Sequence, residues 1–399
     1  MKRALSGVSV VLLAAFAWTA CGGGDSSSSS DTKKVSNIID RALVSNAASG
    51  FIQVINVQLD QLASAAFWIQ VSGSPTFMDS TPDGKNIAVY DSTFNAITVV
   101  SSDTEDRKAR GTLDTVSDSI RITSDAKFVY AAVRNRINTS PTPNGAVQVL
   151  DITNSVISAS YPVPNARWLA LSPDNKKLLV FPDDNSNTPY YIDLSATAPA
   201  AVPIPGTYDH PIAAYFSSDS SKAYVLNCGA ECGGVQASVS ELTISGFGQR
   251  TVNVPAATVA TLDGSTLYVA GQTATGGSAS VVDTGAMTVS SSKPIGNGDH
   301  GVIRFVSGKV WVGAKNCGGG GCLSVFDPAS GTVVVDNPAA GETTKGNVTG
   351  MDFDKTKNIM FVCEGGELLR YDASGTPLST LVDIVGQAYD VRVVPPITQ

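Results

Sequence analysis

The sequence predicts an all-β chain in which similar small sheets stand around a common axis. Three observations carry that expectation. A strand, polar turn, strand, loop, strand pattern recurs at roughly 42 to 49 residues, the length of a four-stranded blade. The 37 glycines and 20 prolines are spread at intervals, as many tight turns between short strands require. Hydrophobic residues make up 43% of the 399 and charged ones 16%, so a large core can be buried. Together these describe one β-propeller of four-stranded blades.

In chain order, residues 1–20 read as a secretion signal. Lys2 and Arg3 precede an apolar run from Val8 to Trp18, too short for a comfortable membrane span but suited to a signal core. The run ends at Trp18-Thr19-Ala20-Cys21, followed by Gly22-Gly23-Gly24-Asp25 and five serines. This resembles the bacterial lipobox, in which cleavage precedes a Cys that receives diacylglycerol. Thr19, Ala20 and Cys21 fit it, whereas Trp18 stands where an aliphatic residue is usual. Ordinary cleavage after Ala15-Phe16-Ala17 is the alternative. The resemblance makes Cys21 the lipid anchor, and Gly22 after it implies passage to the outer membrane, facing the periplasm or the cell surface. Residues 21–40 then form a lipidated, flexible Gly/Ser-rich tether, and residues 41–399 the propeller. From Val35 onward no apolar run is long enough to cross a bilayer as a helix.

The repeats follow. TPDGKNIAVY starts at Thr81, TSDAKFVYAAV at Thr123, SPDNKKLLVF at Ser172, SSDSSKAYVL at Ser217 and LDGSTLYVAG at Leu262. Weaker copies are VSGKVWVG from Val306 and FDKTKNIMFV from Phe353. In such a turn Asp supplies a side-chain hydrogen bond and Gly a left-handed backbone position. Complete units start near Phe77, Ser119, Arg167, Ile212, Thr258, Val302 and Val348. At the ends, Ala42–Ser45, Phe51–Val57 and Phe67–Val71 read as second, third and fourth strands, and Tyr389–Val394 as a lone first strand. Joined, they make an eighth blade that clasps the ring and removes its open edges. The expected count is eight, with seven as the alternative. These repeats resemble the YVTN-type and lactonase-like β-propellers of bacterial exported proteins, over residues of about 41 to 394. The resemblance implies a fold and leaves the function open, because propellers host enzymes, binders and scaffolds.

Functional expectations are narrower. Removing Lys2 and Arg3 with the signal takes the net charge from -8 to -10, since 25 basic residues then face 35 acidic ones. With no Lys/Arg cluster, no nucleic-acid partner is expected. Cys228 with Cys232 and Cys317 with Cys322 each follow a second strand, and export favours two local disulfides over a four-thiolate metal site. Cys363 is left over and reads as a small buried apolar residue.

The two histidines stand in Asp209-His210-Pro211 and Asp299-His300-Gly301, each before a first strand. Arg167, Asp118, Asn347 and Tyr389-Asp390 hold comparable entry positions. Asp209, His210, Asp299, His300, Arg167 and Tyr389 are therefore the candidate ligand-binding set at a channel mouth. The plain alternative is Asp and His capping turns. No G-x-S-x-G elbow, complete triad or phosphate loop is present, so no catalytic residue is assigned. The expected function is a non-catalytic, membrane-anchored, monomeric binding or scaffold module for a protein, glycan or small ligand. It needs no cofactor. The alternative, implied by the lactonase-like resemblance, is a hydrolase with a divalent metal in the channel.

Overall fold

The computed structural model describes residues 35–71, 73–134, 145–183, 187–318, 320–336, 346–379 and 382–397. The signal region and Cys21 lie outside them. Strands fill the described chain, with two single 3-10 turns as the helical content. They form eight separate antiparallel sheets.

Six sheets hold four strands in simple meander order, at residues 75–112, 117–162, 166–203, 211–253, 259–295 and 299–336 (blades 1 to 6). Blade 7 has three strands, Val348–Asp354, Ile359–Glu364 and Glu367–Asp372. Its fourth edge is reduced to single bridges at Pro377 and Val382, in a stretch where Pro and Gly interrupt the ladder. Blade 8 is the clasp. Ala388–Val394 pairs with Arg41–Asn46, which pairs with Phe51–Asn56. The fourth position of this blade is split into Gln61–Leu62 and Ile69–Gln70 around a 3-10 turn. The eight-blade count and the shared terminal blade are thus as the sequence predicts.

First strands of successive blades contact one another all the way round, blade 8 against both blade 7 and blade 1. The apolar core follows the same circle. Eight buried clusters each fill the space between two adjacent sheets, from Ile97 and Ile120 between blades 1 and 2 to Leu43 and Met78 between blades 8 and 1. Second-strand aromatics serve these seams. Tyr268 stacks on Phe305 of the next blade at 4.5 Å, and Trp311 meets Tyr371 edge-on at 6.1 Å. Cys363 is fully buried in the seam of blades 7 and 8.

The turn chemistry explains why the repeats fold alike. Asp83 accepts from Thr81 Oγ (2.6 Å) and from the Lys85 amide (3.0 Å). Asp219 repeats this with Ser217 and Ser221, contacts that hold its carboxyl down to about 2. The next residue is left-handed in each copy: Gly84 at φ 69°, Ala126 at 53°, Asn175 at 57° and Ser220 at 59°. Ala126 and Ser220 take a conformation that disfavours a Cβ, so the aspartate clamp sets the turn even without glycine.

Candidate functional site

Every first strand starts at one face of the ring, where second strands end. At that face seven of the eight first strands carry a bulge, a residue unmatched on the neighbouring strand. Asp118, Arg167, Ile212, Gly301, Thr349 and Tyr389 are such residues, and blade 1 bulges between Pro75 and Met78. The entry positions of Asp118, Arg167 and Tyr389 noted in the sequence are therefore bulge positions, aimed by the same distortion.

The first strands enclose a channel of about 810 Å³. Its wall runs from Asp118, Gly301 and Thr349 at the mouth to Pro173, Ser218 and Gly264 in the turns of the far face. Beside the mouth lies a recess of about 420 Å³ lined by Arg167, Trp168, Asp183, His210, Ile212 and Cys232, among others. Trp168 is a wall of both spaces. The Arg167 guanidinium lies over its ring, 4.2 Å from the centroid. Arg167 is fixed there in a four-charge cluster with Asp118, Asp183 and Arg134. Asp118 meets Arg134 at 2.7 Å and Arg167 at 3.5 Å, while Asp183 meets Arg167 at 2.9 Å and Arg134 at 3.3 Å.

Each Asp-His pair adjoins the disulfide loop of its own blade, but the two pairs do different things. In blade 4 the Asp209 carboxylate accepts from the amides of Val235 and Gln236 and lies 2.9 Å from His210 Nδ1. The Cys228 amide donates to the His210 carbonyl, so the Cys228–Cys232 loop and the His210 ring are one unit at the recess. His210 is left-handed at φ 54°, held by its amide on Asn187 Oδ1 (2.8 Å). Glu231 of the same loop reaches blade 5, accepting from Thr258 Oγ at 2.5 Å and the Gln272 amide at 2.8 Å. Such a short ring contributes about 2 kcal/mol in the chain-entropy account, which suits a stiffened rim.

In blade 6 the Cys317–Cys322 loop is closed as well, and Asp299 accepts from Asn316 Nδ2 at 2.5 Å. His300, however, is paired within the sheet to Ala314 and is 4% exposed. Its Nε2 lies 2.9 Å from the Gly296 carbonyl, so Nε2 carries the proton. The buried Nδ1 has no partner. Tyr389 sits on the rim with Lys315 Nζ 5.8 Å from its ring centroid. Asn347 accepts the Asn316 amide. Among the described residues no three His, Cys, Asp or Glu side chains converge, so the two Asp-His pairs do not meet as one set of cation ligands.

Burial lowers the His300 pKa below its ordinary 6.5, against a smaller raising effect of the Gly296 contact. The unfolded chain then takes up a proton that the folded one refuses. The contribution is complete above pH 6.5 and is lost as pH falls toward the lowered folded value. The unfolding free energy from urea denaturation between pH 7.5 and 5 is expected to fall by up to about 1.4 kcal/mol per pH unit from this group. His300→Phe should flatten that portion of the curve; an unchanged slope would mean the ring accepts a proton in place.

Sequence reasoning missed the inner wall. Two residues ahead of the turns, one register position puts Asp79, Arg121, Tyr215, Arg304 and Arg392 on the channel wall, and Asp352 holds the same position in blade 7. That signal is readable beside the turns at Thr81, Thr123 and Ser217. Several of these groups stitch one blade to the next. Asp79 accepts the Ile122 amide, Asp352 the Val393 amide, and the Tyr215 hydroxyl the Ala260 amide.

No known protein family and no curated protein sequence matches the chain. Solved structures do. A functionally unknown protein from Desulfotomaculum acetoxidans DSM 771 superposes with a TM-score of 0.55 at 15% identity, over 90% of this chain and 99% of that one. Dihydro-heme d1 dehydrogenase NirN in complex with DHE gives 0.66 at 10% identity, over 90% and 76%. A eukaryotic initiation factor gives 0.55 at 13% identity, over 90% and 99%. At such identities the likeness is one of fold alone.

Proposed function

We propose that the chain is an exported lipoprotein of the YVTN-type or lactonase-like propeller kind, acting as a non-catalytic module that binds a small ligand at its channel mouth. The observation that carries the binding role is Trp168. It is a shared wall of the recess and the channel, it is capped by Arg167 at 4.2 Å, and the recess beside it is braced by a disulfide loop. An aromatic plate beside a fixed cation and a rigid rim is a preorganised binding surface. The hydrolase alternative draws on both Asp-His pairs, of which His210 lines the recess and His300 is buried.

The proposed anchor suits this arrangement. Arg41, where the second strand of blade 8 begins, pairs with Val394 at the end of a first strand, on the face away from the mouth. Ser36 is already seated there on Glu105, so the tether joins the body five residues before the first strand. A flexible spacer of some fourteen residues has an average reach of roughly 20 Å, enough to present the mouth away from a bilayer.

Two measurements test the proposal. Metabolic labelling with palmitate should mark the wild-type chain and not Cys21→Ala, and an unlabelled wild type removes the anchor. Native mass spectrometry of protein released from its own envelope should find a bound small molecule that Trp168→Ala loses. Retention of that molecule by the variant, or a wild type without one, counts against binding at the mouth.

A further inference from the structure

Two arginines on the channel wall stand without an ion pair among the described residues, whereas the carboxylates near them hold backbone amides. Asp79 takes the Ile122 amide at 2.8 Å and Asp352 the Val393 amide at 2.7 Å. Asp390 takes Arg392 at 2.7 Å and the Met78 amide at 2.8 Å. Arg121 and Arg304 are treated differently. Each makes one hydrogen bond, to the carbonyl of the residue before it, Ile120 at 2.7 Å and Ile303 at 2.9 Å. Neither forms an ion pair among the described residues. A guanidinium has five N–H donors, so most of the donors on both side chains face the cavity.

These two arginines stand on blades 2 and 6, opposite one another across an eight-membered ring. Both nevertheless act electrostatically on the hydroxyl of Tyr215 on blade 4, and Arg304 also feels Arg392 of blade 8. Four long side chains at one register position thus line the same cavity from alternate blades. The Tyr215 oxygen accepts the Ala260 amide at 3.0 Å, which leaves its own proton to donate. Burial and the neighbouring Arg392 charge press the Arg304 pKa down, against the opposite pull of Asp352 and Asp390, neither of which reaches it as an ion pair.

We infer that this level of the channel binds a small oxyanion, a carboxylate or phosphate compound, gripped from opposite sides by Arg121 and Arg304 and bonded by the Tyr215 hydroxyl. The inference rests on the reading of the channel as a ligand site and names the chemistry of the ligand. Formal charges on the wall sum close to zero, so the selection comes from the two guanidiniums that make no ion pair. A ligand must bring acceptors, and charged ones answer guanidinium best. A space of about 810 Å³ is of the size that holds a metabolite-sized molecule.

The test is calorimetric titration of the mature full chain, in detergent, with inorganic phosphate, succinate and citrate at constant ionic strength. At least one should bind saturably at a single site. Arg121→Gln and Arg304→Gln should each weaken it at least tenfold, while Lys176→Gln, the same charge change on an exposed turn, leaves it unaltered. Circular dichroism of each glutamine variant in anion-free buffer should show the wild-type spectrum and a single cooperative melt, which shows the variant is folded. Absence of saturable binding by all three anions, or wild-type affinity in either glutamine variant, overturns the assignment. If a neutral molecule co-purifies and Trp168→Ala releases it, the binding module stands and the oxyanion falls. If nothing co-purifies but the anions bind through both arginines, the reverse holds.

Discussion

A chain ending at Gln387 is expected not to fold cooperatively. Residues 388–394 are the first strand of blade 8, paired along Arg41–Asn46 from Val394 to Ala388. Without them the Arg41–Asn46 strand becomes an open edge and the first-strand circle is broken between blades 7 and 1. Both adjoining cores lose apolar residues at once, Ala388 and Val391 on one side and Val394 on the other. The Asp390 carboxylate also stops holding the Met78 amide of blade 1. Each large apolar loss from a packed core costs about 2 to 5 kcal/mol, and several together exceed the 5 to 15 kcal/mol that typically keeps a domain folded. Circular dichroism should show no single thermal transition, and trypsin should cut throughout. A sharp melt within a few degrees of the parent would mean the ring closes by some means other than this strand.

The blades were legible because their turns are chemically explicit. Asp83 and Asp219 clamp their turns by the same side-chain hydrogen bonds, so TPDGK and SSDSS announce the same structure. The clasp was legible by subtraction, since the strands left over at the two ends complement each other. Hidden features depend on single-residue offsets. A bulge such as Arg167 or Tyr389 adds one residue to a strand without disturbing a pattern only six residues long. The divergence of the histidines has the same origin. The blade 4 strand starts at Pro211, after His210, whereas the blade 6 strand starts at Asp299 and includes His300. A shift of one residue turns a side chain to the other face, and it sends one imidazole to the recess and the other into the interior. Arg121 and Arg304 resemble ordinary polar residues of an alternating strand until the ring places them opposite each other.

The second large effect is expected at the seat of the tether. Arg41 and Glu105 form an ion pair at 2.7 Å with both side chains at 0% exposure. The same Arg41 nitrogen donates to the Ser102 carbonyl at 2.7 Å, and a second one to the Pro395 carbonyl at 3.3 Å. One guanidinium thus joins the start of one strand, the end of another and a hairpin of blade 1. Arg41→Met removes the cation and leaves the Glu105 carboxylate buried, with the Ser36 contacts still in place. Breaking a buried pair in this way costs about 3 to 5 kcal/mol, far above the 0 to 1 of an exposed pair. Replacing both members, Arg41→Met with Glu105→Leu, should recover much of the loss, because the uncompensated charge is gone. Urea denaturation of the two single variants and the double one measures this directly. A single-variant cost below about 1 kcal/mol would place the pair in contact with water, and the closing seam would then depend on the strand ladder and its apolar residues alone.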